Sequence, residues 1–159
     1  MTVQEFQARR VERIAAALAH FVRTTPADKL GWRPRLVGEG RSVLEQAAEC
    51  VLVNRALAAI LRGEETGHPL AGRSGPLLEF QSAEDACAQL ESSAAEVAAA
   101  ILALDDGAME RAFPHWRGPM TGESLLEMPY RNMAYHAGQV NLIQLLLGDS
   151  EFHLPPTWL

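Results

Sequence analysis

Two polar side chains, Asn132 and His136, interrupt an apolar face near the carboxyl end of the chain. Apolar residues recur every three or four positions through the segment 130–147, which predicts a helix. An amide or an imidazole on its buried face costs about 1–3 kcal/mol when it lacks a hydrogen-bond partner. Side chains four positions apart on a helix point the same way, as two metal ligands on one helix do. This pair is therefore a candidate metal site.

Glu49 is a third candidate ligand, on another predicted helix. Three apolar residues share its helical face: Val53, Leu57 and Ile60. A carboxylate there is unfavourable unless it meets a cation, a metal or a hydrogen-bond donor. Helix bundles build metal sites from side chains on facing helices, so we predict that Glu49, Asn132 and His136 bind a divalent metal, zinc or nickel. Asn54 and Gln139 would then donate hydrogen bonds to the residues that bind the metal.

Each of the three residues also has a structural interpretation. His136 can be a buried histidine held by hydrogen bonds, and Asn132 can be an ordinary amide between helices. Glu49 can lie hydrated at the rim of the bundle. A neutral amide is also a weaker ligand for zinc or nickel than an imidazole. The pattern therefore indicates a functional site more specifically than it indicates a metal site.

The composition limits the class of protein. With 159 residues the chain is long enough for one domain with a substantial core, which we expect over 1–159. It contains no apolar run of the roughly 18–20 residues that span a bilayer, and its start lacks the apolar core of a secretory signal. We therefore expect a cytoplasmic protein with no membrane partner. A net charge of −6, with scattered arginines, argues against a nucleic-acid surface.

The first two predicted helices are bounded by capping signals. Thr2 and Glu5 have the spacing of a capping box, and the helix that follows extends to about Val22. A second helix starts after Ser42 and ends near Gly63. The connection 24–40 between them is long and contains several Gly and Pro residues. Its length indicates that the second helix is not a simple hairpin neighbour of the first.

The last two predicted helices follow long loops. Ser82 caps the third helix, which carries a continuous apolar stripe: Ala83, Cys87, Leu90, Ala94, Val97, Ile101 and Leu104. Thr121 or Ser124 begins the fourth, where Ser124 and Glu127 again match a capping box. Pro129 must lie near that start or kink the helix. Cys87 and Cys50 are expected to be small core residues, without a disulfide.

These elements predict an all-α four-helix bundle with long crossover connections. The loop 63–80 contains four Gly and two Pro residues and also permits a crossover. No strand alternation of useful length is found. Residues from all four helices should be buried together: Phe6, Leu44, Leu90, Val97, Ile143 and Leu147. We also expect a homodimer, because an alanine-rich helix surface allows close approach: Ala94, Ala95, Ala98 and Ala99.

The sequence resembles the DinB-like superfamily of damage-inducible or YfiT-type proteins. The likeness rests on R-S-V-L-E-Q-A-A-E-C-V-L-V-N-R in the second helix, N-M-A-Y-H-A-G-Q-V-N-L-I-Q in the fourth and W-R-P at 32–34. It covers nearly the whole chain, and its most recognisable element is H-x-G-Q, here His136 to Gln139. The resemblance implies an up-down-down-up four-helix bundle that is often dimeric.

The resemblance also implies a metal site. Typical members bind a divalent metal through one His on the second helix and two on the fourth, spaced H-x-x-x-H. Here Glu49 and Asn132 stand in the first two of these positions, and His136 matches the third. The activity implied is that of transferases and isomerases that use a low-molecular-weight thiol.

Three functions are compatible with these residues. In the first, a DinB-like hydrolase or thiol-dependent transferase uses a metal at Glu49, Asn132 and His136 to activate water or a thiol. In the second, Glu49 and His136 form a hydrogen-bonded pair in a metal-free pocket that binds a small molecule or nothing. In the third, the bundle is structural and its surface mediates dimerisation. The sequence names no substrate.

Overall fold

The structure, a computed structural model, describes residues 1–36, 38–64, 66–71 and 78–159. Its described residues form four α-helices: α1 (Val3–Thr24), α2 (Val43–Leu61), α3 (Ala83–Leu102) and α4 (Gly122–Leu146). Positions 65 and 72–77 of the predicted 63–80 loop lie outside the described residues. The predicted all-α four-helix bundle is confirmed. None of the described helices is long and apolar enough to cross a membrane.

Local sequence signals set the helix starts. Thr2 and Glu5 form a reciprocal capping box at α1, and Ser42 forms the same arrangement at α2. The Ser82 hydroxyl accepts a hydrogen bond from the backbone N–H of Asp85 in the first turn of α3. Thr121, rather than Ser124, caps α4. The predicted capping box that begins at Ser124 is wrong, because that residue already lies inside the helix.

The packing of α1 sets the direction of two other helices. It packs mainly against α3 and α4. The Gln4 amide, at the start of α1, donates to the Asp105 carbonyl just after α3 (3.1 Å), so these two helices are antiparallel. Gln7 donates to Glu127 near the start of α4 (3.3 Å), so α1 and α4 are parallel.

The packing of α2 completes the topology. It packs mainly against α3 and α4. Gln46, near its start, contacts His136, whereas Asn54, two turns later, donates to Met133. Since α4 therefore runs antiparallel to α2, α2 and α3 are parallel, which is the up-down-down-up order. The end of α2 and the start of α3 consequently lie at opposite ends of the bundle.

The core confirms most of the predicted apolar positions. The α3 stripe is buried from Ala83 to Ile101, and Leu104 is half-buried. Leu44 and Leu147, predicted to be core residues, are only half-buried. The prediction for Phe6 is wrong, because its ring is 46% exposed on the outside of α1. There the Arg10 guanidinium lies 5.5 Å from the ring centroid.

The alanine-rich stretch of α3 faces two ways. Ala94 and Ala98 are buried inside the bundle, whereas Ala95 and Ala99 are exposed. The first pair packs within the chain and does not belong to a dimer surface, which corrects that part of the expectation. The homodimer itself stays a prediction.

The connections contain short ordered pieces. Among the described residues, β1 (Arg35–Leu36) pairs with β2 (Gly38–Glu39), and β3 (Ala112–Phe113) pairs with β4 (Met120–Thr121). Single turns of 3-10 helix cover Ala27–Lys29, Asp106–Met109 and Pro156–Trp158. Pro129 lies in the second turn of α4 and is buried. Each pairing is two residues long, so the chain keeps its all-helical character.

Candidate functional site

The contact between α2 and α4 brings two of the three predicted ligands together. His136 is 3% exposed, and its Nε2 lies 3.4 Å from Oε1 of Glu49. That separation is too long for a normal hydrogen bond, which requires about 2.7–3.2 Å. Both side chains sit on inward-facing turns of amphipathic helices, which is why the apolar repeat identified them. We call this pair, with Gln46 and Gln139, the α2–α4 seam.

The other nitrogen of His136 fixes the state of the ring. Nδ1 contacts the side-chain carbonyl oxygen of Gln46 and lies 2.9 Å from that of Gln139. With the two amides in this orientation their oxygens accept, so Nδ1 carries the proton and Nε2 keeps a lone pair. Burial lowers the pKa of His136 to about 4, with a further lowering from Arg41 and a partial offset from the Gln139 hydrogen bond. The imidazole is therefore neutral at pH 7.

Glu49 is held from its other side by a cation. The Arg41 guanidinium, which precedes the α2 cap, forms an ion pair with Oε2 of Glu49. The Glu49 side chain is 13% exposed, so its charge is largely removed from water. Removal of a carboxylate from water is unfavourable unless an opposite charge is close. Arg41 supplies that charge but leaves Oε1 facing His136.

Asn132 lies one helical turn before His136 in an adjoining pocket. It is half-buried, and among the described residues its Oδ1 is a buried acceptor without a donor. Within the described residues no hydrogen bond joins it to Glu49 or His136. It shares with Glu49 the wall of a pocket of about 300 Å³. The structure therefore groups the three predicted residues around Glu49 but brings only two of them into close contact.

A second pocket, of about 410 Å³, opens directly onto His136. Its polar wall is formed by five residues: Arg41, Gln46, Glu49, His136 and Gln139. Its apolar wall includes Leu142, Ile143 and Leu146 of α4. A cavity of this size and mixed lining is typical of small-molecule sites. We call it the seam pocket.

The residues that contact the predicted metal ligands agree only in part with the prediction. Gln139 contacts His136 as expected, through its carbonyl oxygen rather than as a donor. Asn54 instead donates to Ser93 (3.2 Å) and Met133 (3.4 Å) in the core. Gln46 and Arg41 were not predicted. A sequence signal existed for Gln46, because it precedes Glu49 by three positions and so shares its helical face.

Whether the three predicted ligands fit a metal ion can be judged from their acceptor atoms. Among the described residues, a buried acceptor without a hydrogen-bond donor remains on Asn132 (Oδ1) and on His136 (Nε2), whereas Oε2 of Glu49 meets the Arg41 guanidinium. The described residues contain no cluster of three or more His, Cys, Asp or Glu side chains placed to hold a metal. A metal here would thus have one imidazole, one carboxylate and an amide oxygen, a set that fits a weakly held divalent cation.

Comparison with known proteins agrees with the fold. A family model described as the DinB superfamily matches residues 10–140, which include all of α2, all of α3 and both faces of the seam. A comparison with curated proteins gives no match to the chain. The family match spans most of the 159 residues. The chain belongs to the DinB superfamily.

Proposed function

We propose that the α2–α4 seam binds a divalent cation, zinc or nickel, and that the seam pocket holds the small molecule on which it acts. The observation that carries this proposal is the lone pair of His136 Nε2 facing Oε1 of Glu49 at 3.4 Å. Two acceptors face each other without a proton between them, because the imidazole proton is on Nδ1. A cation between them would remove this mismatch.

The distance supports the same interpretation. Two ligands of a tetrahedral ion, each about 2.1 Å from it, lie roughly 3.4 Å apart. His136 and Glu49 would be the strong ligands, and the Asn132 amide oxygen a weaker third one. Arg41 competes with the cation for Glu49, so we expect lower affinity than a site with three imidazoles would have.

The chemistry follows from the residues of the seam pocket. A bound divalent metal lowers the pKa of a coordinated water or thiol and so supplies a nucleophile near neutral pH. Gln46 and Gln139 hold the His136 ring by its Nδ1–H and keep Nε2 directed at Glu49. Leu142 and Leu146 border the pocket with apolar surface. These features support a hydrolase or a thiol-dependent transferase acting on a small molecule.

Calorimetric titration of untagged protein with zinc and nickel tests the metal. We expect binding by the wild type, loss of binding in His136→Ala and weaker binding in Asn132→Ala, because imidazole is the stronger ligand. Asn132→His should bind more tightly. His153→Ala is the matched control, since His153 pairs with Asp149 at 2.7 Å outside the seam. Absence of binding by both wild type and Asn132→His would refute the metal.

A metal-free ligand pocket is the second candidate. It is favoured by the Arg41–Glu49 ion pair, because the guanidinium already neutralises the charge of the Glu49 carboxylate. In this case the two glutamine amides are rotated, Nδ1 accepts a hydrogen bond and Nε2–H donates to Glu49. Nitrogen-15 NMR of the His136 ring separates the two accounts. A protonated Nδ1 that persists when zinc shifts the Nε2 signal supports the metal site, whereas a protonated Nε2 unaffected by zinc supports the metal-free pocket.

A further inference from the structure

The pocket of about 300 Å³ beside the seam carries an excess of positive charge. It shares Glu49 and Tyr135 with the seam pocket, so the two cavities adjoin. Arg117 and Arg131 line its other side. We call it the arginine pocket. Glu49 is the single acidic residue among the described residues that line it, and its charge is already paired with Arg41.

Both lining arginines lack a carboxylate within 4 Å among the described residues, whereas seven other arginines have one. Glu127 precedes Arg131 by four positions on α4 and would ordinarily pair with it. Its carboxylate is instead bound by Arg10 (2.8 Å) and Gln7 (3.3 Å) on α1. In the part of the chain that the structure describes, Arg131 therefore has no carboxylate within 4 Å and lies at the rim of the pocket.

The loop that carries Arg117 is held by a neighbouring histidine. The Arg117 backbone N–H donates to Nδ1 of His115 at 3.2 Å, and the ring of His115 packs on Trp116 with centroids 3.8 Å apart. Burial lowers the pKa of His115, and the charges of Arg117 and His68 lower it further. Cationic groups thus meet at this pocket in a chain whose net charge is −6.

Apolar surface forms the rest of the wall. Trp116 is half-buried against His68 (ring centroids 5.5 Å apart), and Val53 and Met128 come from α2 and α4. Guanidinium groups bind carboxylates through charge-assisted hydrogen bonds. Indole and aliphatic side chains favour an apolar group. The pocket therefore has cationic groups that can bind an anion and an apolar wall that can bind a hydrophobic group.

We propose that the small molecule held in the seam pocket extends into the adjoining arginine pocket, and that it is a small carboxylate with an apolar body. Its carboxylate lies between Arg117 and Arg131, its apolar part lies against Trp116, and its other end reaches Glu49 at the seam. This proposal rests on the proposed function, because it names the class of substrate for the same site. It also applies to the metal-free pocket, since neither arginine belongs to the predicted metal site.

Binding of phenylacetate and its neutral analogue phenylacetamide tests the charge requirement. The probes are titrated into chelator-treated full-length protein and followed by calorimetry. We expect phenylacetate to bind about tenfold more tightly than the amide. Arg117→Gln and Arg131→Gln should each remove most of that preference, and Arg117→Gln retains the backbone bond to His115. Arg9→Gln is the matched control, because Arg9 is an exposed arginine of α1 outside the pocket.

Three results would overturn the proposal: equal affinity for acid and amide, an unchanged preference in both pocket variants, or no binding of either probe at millimolar concentration. An equal loss in Arg9→Gln would show a general effect of protein charge and would also overturn it. The titration contains no metal, so its failure leaves the zinc titration of the seam intact. Failure of the zinc titration likewise leaves the carboxylate preference intact.

Discussion

Two buried polar residues on α4, Gln144 and His136, satisfy their hydrogen-bonding groups very differently. Gln144 is 1% exposed, and its amide N–H groups donate to the Phe21 carbonyl (3.0 Å) and to the hydroxyls of Thr24 and Thr25 (3.1 and 3.2 Å). All these partners belong to the end of α1 or the residue after it. Gln144 therefore ties α4 to α1 without leaving a donor free.

His136 lies two turns earlier and faces α2 instead of α1. Its Nδ1 is held by two amide oxygens, whereas its Nε2 faces a carboxylate oxygen. A buried polar group that stabilises a fold normally has all its hydrogen bonds made. An atom that stays unpaired in a pocket is available to a ligand. Gln144 therefore stabilises the bundle, whereas His136 is held by the bundle in a position to bind a ligand.

The largest expected effect is the pH dependence due to His136. Its pKa is about 4 in the folded chain, against about 6.5 when unfolded. Because the unfolded chain takes up the proton first, the free energy of unfolding should fall as the pH decreases from about 6.5 to about 4, by up to about 3 kcal/mol. Urea denaturation across this range measures it.

His136→Leu is the control for this pH dependence. Its stability should vary less over the same range, since the group that titrates has been removed. His115, whose pKa burial also lowers, is present in both chains and so cancels in the difference. Parallel pH profiles for the two chains would contradict the assignment of the depressed pKa to His136.

A pair of leucine substitutions contrasts the two residues at pH 7. Gln144→Leu should lower the free energy of unfolding by about 2 kcal/mol, because it removes all the hydrogen bonds by which this buried amide holds the end of α1. His136→Leu should lower it by only about 1 kcal/mol, because the lost Nδ1–H bonds to Gln46 and Gln139 are partly offset by removal of the unpaired Nε2 beside Glu49. Equal losses in the two variants would show that His136 is as structural as Gln144.

Much of the fold was predictable because its signals are local. The caps at Thr2, Ser42 and Ser82 depend on residues three positions apart, and the α3 stripe depends on helical spacing within one segment. Glu49 and His136 were found by the same logic, as polar residues on apolar faces. These inferences need no knowledge of which helices become neighbours.

The errors concern choices between partners that are distant in sequence. Phe6 has the helical spacing of a core residue, yet α1 turns it outward, beneath Arg10. Ala94 looks available for a dimer until α3 is packed against the other helices. Arg41 reaches Glu49 from a loop, where no periodicity predicts direction. Such contacts are decided by tertiary packing, which the spacing of residues within one segment does not predict.

The smallest expected effect is that of Gln46 on metal affinity. Gln46→Met keeps the length of this buried side chain but removes the oxygen that receives the Nδ1–H of His136. Loss of one such partner typically weakens metal binding about tenfold, because the imidazole is less firmly oriented and less basic. We expect that loss in zinc calorimetry, and a change of less than about 1 kcal/mol in the free energy of unfolding.

Gln7→Met is the matched control, a buried glutamine of α1 whose amide bonds Glu127 away from the seam. It should leave the zinc affinity unchanged. Gln139 still accepts from Nδ1 at 2.9 Å in Gln46→Met, so the double variant Gln46→Met/Gln139→Met should bind zinc more weakly than either single variant. If Gln46→Met and the double variant both bind zinc as the wild type does, Nδ1 is not the protonated nitrogen. His136 would then present Nε2–H to Glu49 and would resemble Gln144 in having its donors satisfied.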